Sequence, residues 1–278
     1  MYQRIRVRSE REYDCPFMSK RTLLLLGLLC APTVAAAQSS TSALSSPYEQ
    51  RGFVQVGAGA QGGSHLLTST STFTIYDEPA TIQGSQNYGG GALFTIGGGA
   101  KVWRNLVVGL HYTRYSDTLD TVVNARVPHP LFANRLRDAS QDIGGLKHSE
   151  NGYHFTASWM FPLGEDLVLG VGLGPSFVQV AHEFPSAAGV TETGTAPDFA
   201  TVGLEKVSFT RGEKTTGTVN VGADLTYNLP FDLGQAGRLG ATLGFRYAGG
   251  TVGLQGTTGE VDVKYGGAQF FGGLRVSF

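Results

Sequence analysis

VDVKYGGAQFFGGLRVSF, residues 261–278, decides how the rest of the chain is read. Successive side chains of a strand point to opposite faces. Phe270, Leu274, Val276 and Phe278 share one parity, while Gln269, Phe271, Arg275 and Ser277 share the other. One face is therefore mainly apolar and the other mixed and more polar. The stretch stops on an aromatic residue, which a strand closing a membrane barrel places at the interface.

The same alternation recurs upstream. Candidate strands are Arg51–Gln61, Tyr88–Trp103, Leu106–Tyr115, Tyr153–Phe161, Leu167–Val180, Val219–Leu229 and Arg238–Ala248, which with 261–278 makes eight. The connections between them run long, short, long, short, long, short, long. That rhythm predicts an all-β, eight-stranded antiparallel up-and-down transmembrane β-barrel, with brief turns at one rim and four long loops at the other. Both termini then fall on the short-turn, periplasmic side. Trp103, Phe161, Tyr227 and Phe278 are expected to form the aromatic belt at that rim, and Tyr112, Tyr153 and Tyr247 the belt at the other. A soluble barrel of the same size predicts the larger apolar residues inside. Here the parity opposite the apolar one is rich in Thr, Asn, Gln, His, Arg and Gly, as a lumen requires.

Composition bounds the rest. The 278 residues are 15% charged and include 40 glycines, with a mean hydropathy of −0.04. Outside the N-terminal region, no apolar run reaches the roughly 18 residues of a spanning helix. Met18-Ser19-Lys20-Arg21, the apolar run 22–34 and Ala35-Ala36-Ala37 read as a signal peptide cleaved before Gln38, with residues 1–17 a possible mis-called extension. The expected organisation is residues 1–37 leader, 38–50 linker and 51–278 barrel. Both cysteines, Cys15 and Cys30, lie in the leader, so the mature chain offers no disulfide or thiolate site. Removing residues 1–37 takes six of 21 basic and three of 22 acidic residues, leaving a net charge of −4. No basic block survives to hold nucleic acid.

The signal peptide, the strand and loop alternation over residues 51–278, and the terminal GGLRVSF resemble the eight-stranded OmpA/OmpX-type outer-membrane barrels. The resemblance implies a bacterial outer-membrane location. It also implies that Phe278, Val276 and Leu274 serve as the signal read by the outer-membrane assembly machinery. Other expected partners are outer-membrane lipid and lipopolysaccharide, and an extracellular ligand that the sequence leaves unnamed; no nucleic acid and no cofactor are expected. The architecture hosts many functions. The expected one is non-enzymatic display of four extracellular loops, for surface interaction or envelope integrity. The alternatives are a membrane-embedded lipid A-modifying enzyme and a small solute pore.

No catalytic or metal-binding residue is expected. His154-Phe155-Thr156 resembles the His-x-Ser arrangement of barrel-borne lipid A deacylases, but its His and Thr carry the lumen parity and position 156 is Thr. His111 and His154 share the lumen on adjacent strands, two ligands where a metal site needs more. His129 and His148, in one long loop, are expected to be solvated. Gly89-Gly90-Gly91 and Gly97-Gly98-Gly99 lack the Lys-Ser/Thr of a phosphate loop, and fit close packing in a narrow barrel. Val127–Phe132 is an apolar patch expected to pack its loop onto the rim.

The lumen is expected to carry a charge network that blocks the pore. If Leu229 faces Leu239, Asp224 stands opposite Gly244 and Arg246 is its diagonal neighbour, about 7–8 Å away at the backbone. An Asp224–Arg246 bridge follows, extended by Lys101, Arg275, Gln269 and Asn220.

Overall fold

A computed structural model describes residues 48–234 and 237–278. The leader and most of the expected linker lie outside the described residues. Among the described residues ten strands run in chain order: β1 Gly52–Gly62, β2 His65–Ile75, β3 Glu78–Tyr88, β4 Gly91–Trp103, β5 Leu106–Pro128, β6 Leu136–Pro162, β7 Leu167–Thr193, β8 Thr201–Asp232, β9 Arg238–Gln255 and β10 Glu260–Ser277. All pairings are antiparallel. Eight strands close a ring in the order β5-β4-β1-β10-β9-β8-β7-β6, with β6 returning to β5. The expected barrel is present.

The ring's stagger follows from its register. Pro162 of β6 faces Val168, which faces Thr226, then Thr242, Gly273, Gly57, Thr95, Thr113 and finally Gly152 of β6 again. One circuit therefore climbs from residue 162 to 152 of the same strand, a shear of ten residues. At ~3.3 Å per residue and ~4.8 Å between eight strands, the strands tilt by about 41°.

The strands run well past the expected loops, which is the main correction. Residues 116–128 continue β5, 136–152 belong to β6, 181–193 continue β7, and 201–218 belong to β8. The first expected loop holds the β2–β3 hairpin. Above the point where β4 leaves β5, β3 takes its place, with residues 81–86 paired to residues 121–126.

The reason lies in a swap of faces. Between the rims, the outward parity is apolar: Val108 and Leu110 on β5, Val171 and Leu173 on β7, Leu243 and Phe245 on β9 are all exposed. The inward parity there is mostly polar or Gly, with Phe53 and Phe271 packed among the polar groups. Further along the same strands, the apolar residues turn inward. Leu119, Val123, Ala125 and Val127 of β5, Val178, Val180 and Phe184 of β7, and Val252 and Leu254 of β9 are buried, while Thr118, Asn124 and Arg126 face outward. The apolar outward zone spans about ten residues, or about 25 Å along the barrel axis after correction for tilt, which matches the apolar band of a barrel in a bilayer. Beyond it the wall faces water on the outside, so a conventional core is needed within.

That upper part forms a two-layer head. The ladder between β6 and β7 ends at His148 and His182. Beyond it, β2-β3-β5-β6 make one layer and the β7–β8 hairpin the other. Ile82, Val123, Ala125, Val127, Ala139, Ala188 and Val202 are buried between them. A second cluster, including Leu67, Leu119, Leu146, Phe184 and Tyr265, lies below, at the neck. At the opposite end Tyr48, Phe53, Val107, Met160 and Val168 form a third. Tyr48 falls in the expected linker, yet it is 2% exposed, and its amide donates to Asn105 Oδ1.

Candidate functional site

Between the apolar clusters lies a column of buried polar side chains. Its lower layer centres on Arg275, 1% exposed. The guanidinium donates to Gln55 Oε1 through Nε (3.0 Å) and Nη2 (2.5 Å), and to Asp224 Oδ1 through Nη2 (2.9 Å). Its carbon lies 4.1 Å from the Phe53 ring centroid. Gln55 Nε2 meets His111 Nδ1 at 3.2 Å.

This corrects the expected pairing. Asp224 does face Gly244, but its ion-pair partner is Arg275, one strand further away. Gly240 and Gly244 on the intervening β9 put no side chain in the way, so a long arginine on β10 reaches across the narrow lumen. Arg246 instead lies over the Phe271 ring at 5.5 Å, and it lines with Asp224 a cavity of ≈ 30 Å³. Lys101 is not in the network: its Nζ donates to the carbonyls of Tyr48 (2.6 Å) and Glu49 (3.5 Å) at the short-turn rim. Gln269 and Asn220 belong to the layers above. Asn220 Nδ2 donates to Ser176 Oγ (2.8 Å), which meets His154 Nδ1 (2.8 Å), and His154 Nε2 meets Thr113 Oγ1 (2.9 Å). Both nitrogens of His154 are thus occupied within the lumen.

The upper layer was not legible as a unit. Gln269 donates to Gln61 (2.9 Å), and Gln61 donates to Glu150 Oε2 (3.1 Å), which also accepts the Gly266 amide (2.9 Å). His148 Nε2 meets Glu150 Oε1 at 3.0 Å, His148 and His182 meet through Nδ1 at 2.9 Å, and His182 Nε2 donates to Gln86 Oε1 at 2.6 Å. The chain ties β10, β1, β6, β7 and β3 together. His148, expected in a solvated loop, is fully buried, and so is His129, whose Nε2 donates to the Asp198 carbonyl at 3.0 Å. For His148 strand continuation is the reason, since it carries the inward parity of β6; His129 lies just past β5, where the Leu131 and Phe132 amides donate to its Nδ1. Burial, then the neighbouring His148, pushes the His182 imidazole down to about 3, and it stays neutral. Burial pushes the Tyr88 phenol up to about 12.

At the far end, Arg137 clamps the loop tips. It contacts both Glu192 carboxylate oxygens and donates to the carbonyls of Phe199 (2.9 Å) and Pro128 (2.9 Å). Tyr76 of the β2–β3 turn donates to Glu192 at 2.9 Å. The Arg137 hydrogen bonds hold the Glu192 carboxyl below its ordinary range. The Val127–Phe132 patch divides: Val127 and Pro128 pack inward, whereas Leu131 and Phe132 are exposed.

The remaining expected residues lie on the outer wall. Trp103, Tyr227 and Phe278 at one rim, and Tyr153 and Tyr247 at the other, are roughly half exposed; Phe161 and Tyr112 are half-buried beside them. Trp103 packs against Trp159, which lies on the expected apolar parity of its strand but outside the expected belts, with ring centroids 6.1 Å apart. Leu274 is exposed and Val276 half-buried on the same face of β10. Phe278 completes the closure: its amide donates to Gly52 O at 3.0 Å, and its carbonyl accepts from Arg51 and Gly52.

No family model matches the chain, and no curated protein matches it. Among solved structures, Neisserial surface protein A is similar at 15% identity, over 82% of this chain and 97% of that one, with a TM-score of 0.35. The outer membrane protein OprG from Pseudomonas aeruginosa is similar at 8% identity, over 84% and 98%, with a TM-score of 0.41. The outer membrane protease OmpT from Escherichia coli is also similar at 8% identity, over 84% and 98%, with a TM-score of 0.38. The barrel assignment rests on this chain's own strand pairing.

Proposed function

We propose that this protein is a bacterial outer-membrane barrel that acts as a sealed pedestal, holding a rigid β-head at the cell surface for surface interaction or envelope integrity, without catalysis. One observation carries the reading: along β5, β7 and β9, the apolar side chains leave the outer face and enter the interior. Below that crossover the outside suits lipid; above it the outside suits water and the inside is a packed core. Chemistry on a membrane lipid needs reactive groups on the lipid-facing wall. Here His111 and His154 are buried in the lumen, where Gln55 meets His111 Nδ1 and Ser176 and Thr113 occupy both nitrogens of His154.

A pore is disfavoured on the same geometry. Eight strands leave an interior just wide enough for side chains, and apolar clusters stop both ends of the polar column. Both termini lie on the periplasmic side in this reading, with the head outside. Planar-bilayer recording tests the seal together with surface labelling of a Lys206→Cys variant by a membrane-impermeant maleimide on intact cells. The expected result is no steady conductance and full labelling. A stable open channel, or labelling only after lysis, overturns the reading.

A further inference from the structure

The outward face of β2, β3, β5 and β6 carries an ordered polar surface. The register sets Thr70 beside Gln83, Gln83 beside Asn124, and Asn124 beside Ser140, a straight row across four strands. Two residues along, Thr72, Thr81, Arg126 and Asp138 make a second row. All eight side chains are exposed. At ~4.8 Å between strands, each row spans about 14 Å. Seven of the eight, all but Thr72, line a concavity of ≈ 440 Å³.

The lining selects its ligand. Hydroxyls and carboxamides each both donate and accept hydrogen bonds, which suits a ligand whose own groups do both. The only charged members, Arg126 and Asp138, pair at 3.5 Å and cancel, so no net field favours an ion. No aromatic or large aliphatic side chain lines the concavity. It therefore lacks the anchors on which protein–protein contacts depend. The floor is rigid, because Ile82, Val123, Ala125 and Ala139 on the reverse of the same strands are buried in the head. Little order has to be gained on binding.

Position narrows the source. The rows sit on the flank of the wall, not at the tip, and Asn124 lies twelve residues beyond Tyr112, roughly 30 Å further along the axis after correction for tilt. A chain standing on a neighbouring lipid of the same leaflet runs past this face. We propose that these rows bind an uncharged polysaccharide, the sugar chain of a glycolipid in the surrounding outer leaflet. This deepens the pedestal reading and rests on it.

The test uses the folded protein with a fluorophore on Asp142→Cys, at the edge of the rows. The probes are a neutral polysaccharide released from lipopolysaccharide by mild acid, an acidic one of similar length, and nanodiscs with chain-bearing or chainless lipopolysaccharide. The expected result is a saturable response to the neutral chain, little to the acidic one, and a response in chain-bearing discs alone. Gln83→Ala with Asn124→Ala should weaken binding at least tenfold. No saturable response, an equal response to the acidic chain, or wild-type binding by the double variant overturns the site. Equal signals in the two kinds of disc overturn the glycolipid source. Heat-modifiable gel mobility is read on every sample: if it persists, the failure belongs to the sugar site and the barrel reading stands.

Discussion

Replacing Asp224 by Ala removes the counter-charge of a guanidinium that is 1% exposed inside the membrane-embedded lumen. Arg275 keeps its bonds to Gln55 and its place over Phe53, so it stays buried but loses its anion. Breaking a buried pair in this way costs about 3–5 kcal/mol, since an uncompensated charge remains. The reverse change, Arg275→Ala, leaves Asp224 beside a cavity with its side chain 18% exposed. That anion is easier to hydrate, so the penalty is dominated by lost packing and lost hydrogen bonds. The double variant should therefore lose less than the two single losses together, with a coupling of about 2 kcal/mol or more. Urea unfolding of the refolded barrel in lipid vesicles, followed by gel mobility, reads each stability. The matching cycle of Asp224→Ala with Arg246→Ala should show a weaker coupling, since the two charges share a cavity without a hydrogen bond between them. Additive losses in the Arg275 cycle, or a stronger coupling to Arg246, refute the reasoning.

Gly244→Ala should destabilise by about 1–3 kcal/mol, because a Cβ there runs into the Phe271 ring; Phe271→Leu in the same chain should restore much of the loss in the same unfolding assay. Arg137→Ala should leave the barrel's gel mobility unchanged but make the head's loop tips sensitive to added protease, since four contacts to three segments disappear. Glu192 titrates lower in the folded state than unfolded. Its contribution is present above its ordinary value of 4.5 and is lost as pH falls through the folded one, so the Arg137→Ala effect should fade in acid. His182 is likewise lowered, from 6.5 to about 3, so the neutral form holds the head together and stability drains as pH falls from 6.5 towards 3. Hydrogen exchange of β3 and β7 amides should speed up across that window, and His182→Gln should flatten the response.

The membrane-facing half of the fold is legible in the sequence because one rule applies there without interruption. On 270–278 Phe270, Leu274, Val276 and Phe278 keep to the lipid side, and the same holds for Val108–Tyr112 and Leu169–Leu173. The head was missed because the rule inverts. In residues 119–127, Leu119, Val123, Ala125 and Val127 alternate as cleanly as any strand, but on the opposite parity. A reading that follows one parity sees the pattern end and assigns a loop. The β2–β3 hairpin hides for a different reason: Thr68, Thr70, Thr72 and Thr74 alternate with Ser69 and Ser71, so both faces look polar and only Leu67, Phe73 and Ile75 mark the inner one. The lumen charges were placed on the correct face, and the register through Asp224 and Gly244 holds. The expected pairing fails because adjacent-strand reach says nothing of Gly240 and Gly244, which let Arg275 cross β9.

The central claim is that the wall turns inside out where it leaves the lipid, and β5 carries the whole transition. Residues 38–278 contain no cysteine, so single cysteines at positions 108–126 can each take a nitroxide in a barrel reconstituted into bilayers. Collisions with lipid-soluble oxygen and with a water-soluble nickel chelate then map the surroundings of each site. The account predicts that oxygen dominates at positions 108 and 110, the chelate at 118, 124 and 126, and neither at 119, 123 and 125. Chelate access at 123 and 125 equal to that at 124 would contradict it, and so would an oxygen-dominated site at 124.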